Sequence, residues 1–139
     1  MADGPITDFD TLDAAVQASP FHVWLGVRLK SLGDDGIEIT MPWRPEFVSD
    51  PSGGYCHGGV LASLIDLAGD YAVMAKVGRG VPTVDMRVDY HQAAMPGPLV
   101  ARARIVKLGR TLATAEAHVY DERDKLVASG RAVYLTLAR

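Results

Sequence analysis

The stretch from residue 57 to residue 77 constrains the fold most. Val60, Leu61, Leu64, Ile65, Leu67, Ala68, Tyr71 and Ala72 occupy almost every side of a helix drawn through it. A helix that is apolar nearly all round needs other elements over most of its faces. One stripe departs from this pattern. Gly59, Ser63, Asp66 and Asp70 follow one another at steps of four, three and four, so they share a face. A carboxylate on such a helix is costly unless it is paired, hydrogen-bonded or open to a cleft. The stripe therefore reads either as a solvated or structurally bonded edge, or as one wall of a site.

The rest of the chain supplies the cover. Thr11, Leu12, Ala15 and Val16 have helical spacing, which predicts a short helix over residues 8–18 that ends before Pro20. Val23, Leu25, Val27 and Leu29 alternate with Trp24, Gly26, Arg28 and Lys30, and this period of two predicts a strand. A second strand is expected where Ile37, Ile39, Met41 and Trp43 alternate with Glu38, Thr40 and Pro42, after a turn at 33–36. A Pro-, Gly- and Ser-rich loop spans 45–55. Four more strands are expected over 83–92, 99–108, 112–120 and 126–137, separated by turn chemistry at 95–98, 109–110 and 121–124. Short connections predict antiparallel neighbours, and one central helix needs a sheet curved around it. The expected class is α+β, a long antiparallel sheet wrapped around one helix, in one domain over residues 1–139 without repeat or linker.

Composition narrows the function. The 139 residues carry a formal net charge of −3, and their basic side chains are scattered apart from a loose group at Arg102, Arg104, Lys107 and Arg110. This argues against a nucleic-acid partner, which needs a clustered basic surface. No apolar run reaches the ~20 residues that span a bilayer, and residues 1–10 lack the apolar core of a leader. With a single cysteine, Cys56, the expectation is a cytoplasmic protein away from membranes. His22, His57, His91 and His118 are dispersed without ligand spacing, so no metal is expected.

His57-Gly58-Gly59 stands where the long helix begins. The first helical N–H groups have no partner within the helix, and the helix dipole adds partial positive charge there. Glycines let a carbonyl approach those donors, although a plain tight turn would also use them. An acid such as Asp66 and an oxyanion donor are the two parts that acyl transfer requires. The run Cys56-His-Gly-Gly-Val-Leu-Ala-Ser-Leu-Ile-Asp66, then Tyr71-Ala72, resembles the signature of the phenylacetate-type acyl-CoA thioesterases of the hotdog superfamily. Thr83-Val-Asp-Met-Arg-Val-Asp-Tyr90 and Leu126-Val-Ala-Ser-Gly-Arg-Ala132 resemble that family's later strands. The resemblance implies the hotdog fold and hydrolysis of an aryl- or fatty-acyl-CoA. It implies Asp66 as general base or nucleophile, the Gly58 N–H as carbonyl-polarising donor, Thr83 placing water, and His57 orienting the loop. The family commonly carries an Asn a few residues before the His; here Asp50 is the nearest equivalent. Asp70 is not a standard position of the family.

Gly58 and Asp66 are eight residues apart on one helix, which separates them by ~12 Å. A nucleophile must come within ~3–3.5 Å of the carbon whose oxygen the donor holds. One chain cannot bring both to one thioester, so the site is expected to combine two copies of the helix about a two-fold axis. The hotdog resemblance implies the same homodimer, and a homotetramer built as a dimer of dimers is the fuller expectation. Gly59, Ser63, Asp50 and Asp70 are candidate substrate contacts, and Arg110, with Lys107, a candidate for the phosphates of coenzyme A. Coenzyme A enters only as part of the substrate; no resident cofactor is expected. Two alternatives keep the pocket but change the chemistry: a dehydratase or hydratase acting on an acyl thioester, and a non-catalytic acyl-CoA binding module.

Overall fold

The computed structural model describes residues 4–138, so the first three residues of the stretch read above as lacking a leader core lie outside the described residues. Helix α1 (Phe9–Gln17) starts at Asp8, whose carboxylate accepts from Thr11 N–H at 2.9 Å and caps the first turn. Helix α2 (Pro20–Leu25) follows, then strands β1 (Arg28–Leu32) and β2 (Gly36–Met41), a short 3-10 turn (Pro45–Phe47) and the long helix α3 (Gly58–Val77). Strands β3 (Thr83–Tyr90), β4 (Leu99–Leu108), β5 (Leu112–Tyr120) and β6 (Leu126–Leu135) complete the chain.

The six strands form one antiparallel sheet in the order β1-β2-β4-β5-β6-β3. Small side chains explain how it closes on α3. Ala101 and Ala103 of β4, Ala113, Ala115 and Ala117 of β5, and Ala128 and Ala132 of β6 are all buried. This alanine floor leaves room for the larger helix residues Leu61, Leu64, Ile65, Leu67 and Tyr71. Full burial of a leucine such as Leu64 stabilises by about 1.5–3 kcal/mol. The stripe through Gly59, Ser63, Asp66 and Asp70 is the helix side left partly open.

Two expectations fail. The alternation from Val23 to Leu29 does not form a strand at its start: Pro20–Leu25 is helical and β1 begins only at Arg28. Pro20 suits the first helical position, and Gly26 ends the helix with φ 79°, a conformation glycine adopts without strain. Val23 is left exposed, whereas Leu25, Val27 and Leu29 still point inward. Short connections also mislead about β3 and β4, which are not neighbours. The eight residues 91–98 reach up to ~26 Å when extended, enough to cross three strand spacings of ~14 Å in all. They do so with His91 and Gln92 N–H groups on the Val127 carbonyl and the Cys56 N–H on the Ala94 carbonyl. As a result β3 lies at the sheet edge beside β6, with Val84 58% exposed.

Candidate active site

Helix α3 opens on a shaped loop. His57 caps it: its Nδ1 accepts the Gly59 N–H at 2.8 Å, which places the proton of the neutral ring on Nε2. The His57 N–H is itself held by the Phe47 carbonyl at 2.7 Å, and Val60 and Leu61 turn back on the His57 carbonyl. Gly59 therefore has its N–H engaged, while the Gly58 N–H has no hydrogen-bond partner among the described residues. From the other side the Tyr90 hydroxyl donates to the Gly58 carbonyl at 2.9 Å, with its ring against Gly58. A cavity of about 320 Å³ opens here, lined by Tyr55, Cys56, Gly58, Leu61, Tyr90 and Ala94 among others. An unpaired N–H at a helix start, on a residue that lines a largely apolar cavity, suits a polarised carbonyl oxygen.

Two turns along the helix, Asp66 faces the start of β3. The Thr83 hydroxyl donates to Asp66 Oδ1 at 2.8 Å, and Oδ2 has no hydrogen-bond partner among the described residues. Thr83 pairs in register with Tyr134 of β6, whose buried hydroxyl donates to the Asp66 carbonyl oxygen at 2.8 Å and lies 3.5 Å from Oδ1. Asp70, one turn on, is pushed up to about 7, first by burial and then by the Asp66 charge. The same surroundings raise Tyr134, chiefly through burial, so its phenol stays a neutral donor.

The remaining candidates separate. The Ser63 hydroxyl donates back to the Gly59 carbonyl at 2.9 Å, within its own helix. The Asp50 carboxylate accepts from Ser52 N–H and Oγ, and the Gly53 and Gly54 N–H groups close on the Asp50 carbonyl. The two bonds from Ser52 hold the carboxyl of Asp50 below its usual range, the backbone one leading, and they help shape the loop. Arg110 lies at the β4–β5 turn, beside a cavity of about 420 Å³ near Thr111 and Thr136 and away from the His57 loop. Cys56 is buried, and burial pushes its thiol up to about 11, a poor state for a nucleophile. Tyr134 escaped the sequence reading. The one signal in the sequence is Gly69, a mid-helix glycine that marks a close approach without saying which residue makes it.

Comparison with known proteins agrees with this architecture. Residues 53–128 match the family described as the thioesterase superfamily. A protein of Halobacterium salinarum, named as a candidate esterase, is 33% identical over 130 residues, 86% of this chain and 85% of its own. The medium/long-chain acyl-CoA thioesterase of Escherichia coli is 24% identical over 132 residues, covering 84% of each chain. A crystal structure from the thioesterase superfamily superposes with a TM-score of 0.89 at 47% identity, covering 91% of this chain and 96% of that one. The chain belongs to the thioesterase superfamily, and its sheet-wrapped helix is the hotdog fold.

Proposed function

We propose that this member of the thioesterase superfamily is an acyl-CoA thioesterase of the phenylacetate type, which works as a homo-oligomer and hydrolyses an aryl- or fatty-acyl-CoA to the free acid and coenzyme A. The observation that carries the reading is the way β3 runs alongside the open stripe of α3. At one end Thr83 bonds Asp66, and at the other Tyr90 bonds Gly58. The strand is a free sheet edge, and such an edge is a template for a second strand. A two-fold axis through the middle of β3 pairs it antiparallel with its copy. The Thr83 end then meets the partner's Tyr90 end, so Asp66 approaches the partner's Gly58. The ~12 Å separating the two groups within one chain is thereby removed.

In this arrangement the thioester carbonyl oxygen accepts from the partner's Gly58 N–H while Asp66 Oδ2 faces the carbonyl carbon. Thr83 holds Oδ1 and leaves Oδ2 free to act. As a general base Oδ2 takes a proton from water as the water oxygen bonds the carbon. The C–S bond then breaks, and the departing thiolate recovers the proton. As a nucleophile Oδ2 bonds the carbon directly, expels the thiolate and leaves a mixed anhydride that water opens. Both routes need the same two groups, and a thiolate leaves without help from a metal. The name of the Escherichia coli relative supports an acyl-CoA substrate. Arg110 is the proposed contact for the phosphates of coenzyme A, dimers pair further into a tetramer, and a cytoplasmic setting accords with a lone free cysteine.

The test is thiol release from a panel of aryl- and fatty-acyl-CoAs by wild type and Asp66→Ala. Turnover by wild type that falls by at least ~10³-fold in the variant, with the oligomer intact, is expected. Binding of acyl-CoA without turnover in either protein would leave a binding module instead. Turnover that survives in Asp66→Ala would remove that residue from the chemistry.

A further inference from the structure

Two costly residues meet at Asp66. Gly69 sits in the interior of α3, where glycine is less stable than alanine. Tyr134, on β6, is 0% exposed, so its hydroxyl has left water and needs a partner in the core. Each explains the other. A Cβ built on Gly69 would lie 2.4 Å from the Tyr134 hydroxyl oxygen, and its next nearest atoms, at 3.2 and 3.3 Å, also belong to the Tyr134 ring. The missing side chain is the seat of this one phenol. In that seat the hydroxyl gives its single proton to the Asp66 carbonyl at 2.8 Å, and its oxygen stands 3.5 Å from Oδ1. A carbonyl oxygen has two lone pairs, so it accepts from Tyr134 as well as from its own helix. The backbone of Asp66 is thus tied to β6, while Thr83, the cross-strand partner of Tyr134 on β3, ties Oδ1.

On the reading of Asp66 given above, we propose that Tyr134, lodged in the space left by Gly69, is a positioning residue that aims Asp66 Oδ2 at the thioester. It touches no substrate and acts through the helix segment that carries the carboxylate. The charged groups around it are Asp66 and Asp70, both from α3, and β3 contributes the neutral Thr83. Misplacing a reacting group by about an ångström costs up to ~10²-fold in rate. Loss of the hydroxyl should therefore act on kcat and leave KM alone.

The experiment combines Tyr134→Phe, Gly69→Ala and the double variant, each assayed for kcat, KM and thermal midpoint, with Asp66→Ala as control. Tyr134→Phe keeps the ring and should lower kcat ~10–100-fold with KM within about twofold of wild type. Gly69→Ala should lower both kcat and the thermal midpoint, because its methyl drives the hydroxyl out. In the double variant the closest clash is gone, so the midpoint should recover towards that of Tyr134→Phe while kcat stays as low as in Tyr134→Phe. Should kcat instead follow the midpoint back up, Tyr134 is only a core tie and the proposal falls. It falls equally if Tyr134→Phe turns over like wild type while Asp66→Ala is dead. Turnover retained in Asp66→Ala overturns the parent reading, and this one with it.

Discussion

At the scale of single residues, the open stripe on α3 carries a second acid, Asp70, one turn beyond Asp66. Asp70 is pushed up to about 7 by burial and by Asp66. In the unfolded chain it titrates near 3.9, so between roughly pH 4 and pH 7 the folded protein holds a proton that the unfolded one has released. Stability must therefore fall as pH rises across that window and stay lower above it. Asp70→Asn removes the ionisation. At pH 8 the variant should be more stable than wild type by on the order of 2–4 kcal/mol, and near pH 4 the gap should close. Urea unfolding at both pH values and a fixed protein concentration decides it; equal stability at pH 8 would show that Asp70 is solvated. The stripe itself was legible in the sequence, because Gly59, Ser63, Asp66 and Asp70 obey the helical period. Which atoms stay free was not. His57 taking the Gly59 N–H and Thr83 taking Oδ1 depend on rotamers and on a strand 17 positions away. The Tyr134–Asp66 contact spans 68 positions, beyond any local period.

At the scale of elements, α1 is fastened to β1 by one carboxylate. Asp13 is buried, and it accepts from Arg28 Nη2 at 2.6 Å and from the Leu29 N–H at 2.9 Å. The Arg28 hydrogen bond is the main reason its carboxyl titrates below the ordinary range. This contribution to stability is present above the unfolded pKa and is lost as acid protonates the folded group. Removing the two partners should have unequal effects. Asp13→Ala strands a buried backbone N–H and should cost about 1–3 kcal/mol. Arg28→Ala removes an exposed, solvent-screened guanidinium and should cost clearly less than Asp13→Ala. Thermal melts that rank them equally would mean that the ion pair, and not the bond to Leu29, anchors the helix. Pattern reading succeeded for α1, α3, β2 and the last four strands, whose periods are long and uninterrupted. It failed at Pro20–Leu25, where only Val23, Trp24 and Leu25 belong to the alternating run; so short a piece fits either element, and the decision lay with Pro20 and Gly26. Sheet order was also hidden, since residues 91–98 are long enough to step over two strands.

At the scale of the whole molecule, the free edge of β3 and the half-open stripe of α3 are one continuous unfinished surface, joined through Thr83–Asp66 and Tyr90–Gly58. The proposed two-chain site predicts a complementation that a one-chain site cannot give. Gly58→Pro is suited to remove the donor, because Gly58 is the first residue of the helix, where proline is tolerated. His57 already has the extended conformation, φ −60° and ψ 133°, that a following proline requires. The Tyr90 ring, 3.3 Å from a Cβ at this position, would have to shift only slightly. Loss of one such donor should lower kcat by ~10²–10³-fold. Asp66→Ala should be inactive through the opposite part of the site. When the two inactive variants are unfolded together and refolded as an equal mixture, half of the dimers contain one chain of each kind. In a mixed dimer one site has lost both groups, and the other pairs an intact Asp66 with an intact Gly58. Half the dimers with half their sites working gives about a quarter of wild-type activity. A mixture as inactive as its parents would place donor and acid on one chain. The helix would then have to bend or the donor be another group, because ~12 Å of straight helix cannot bring them together.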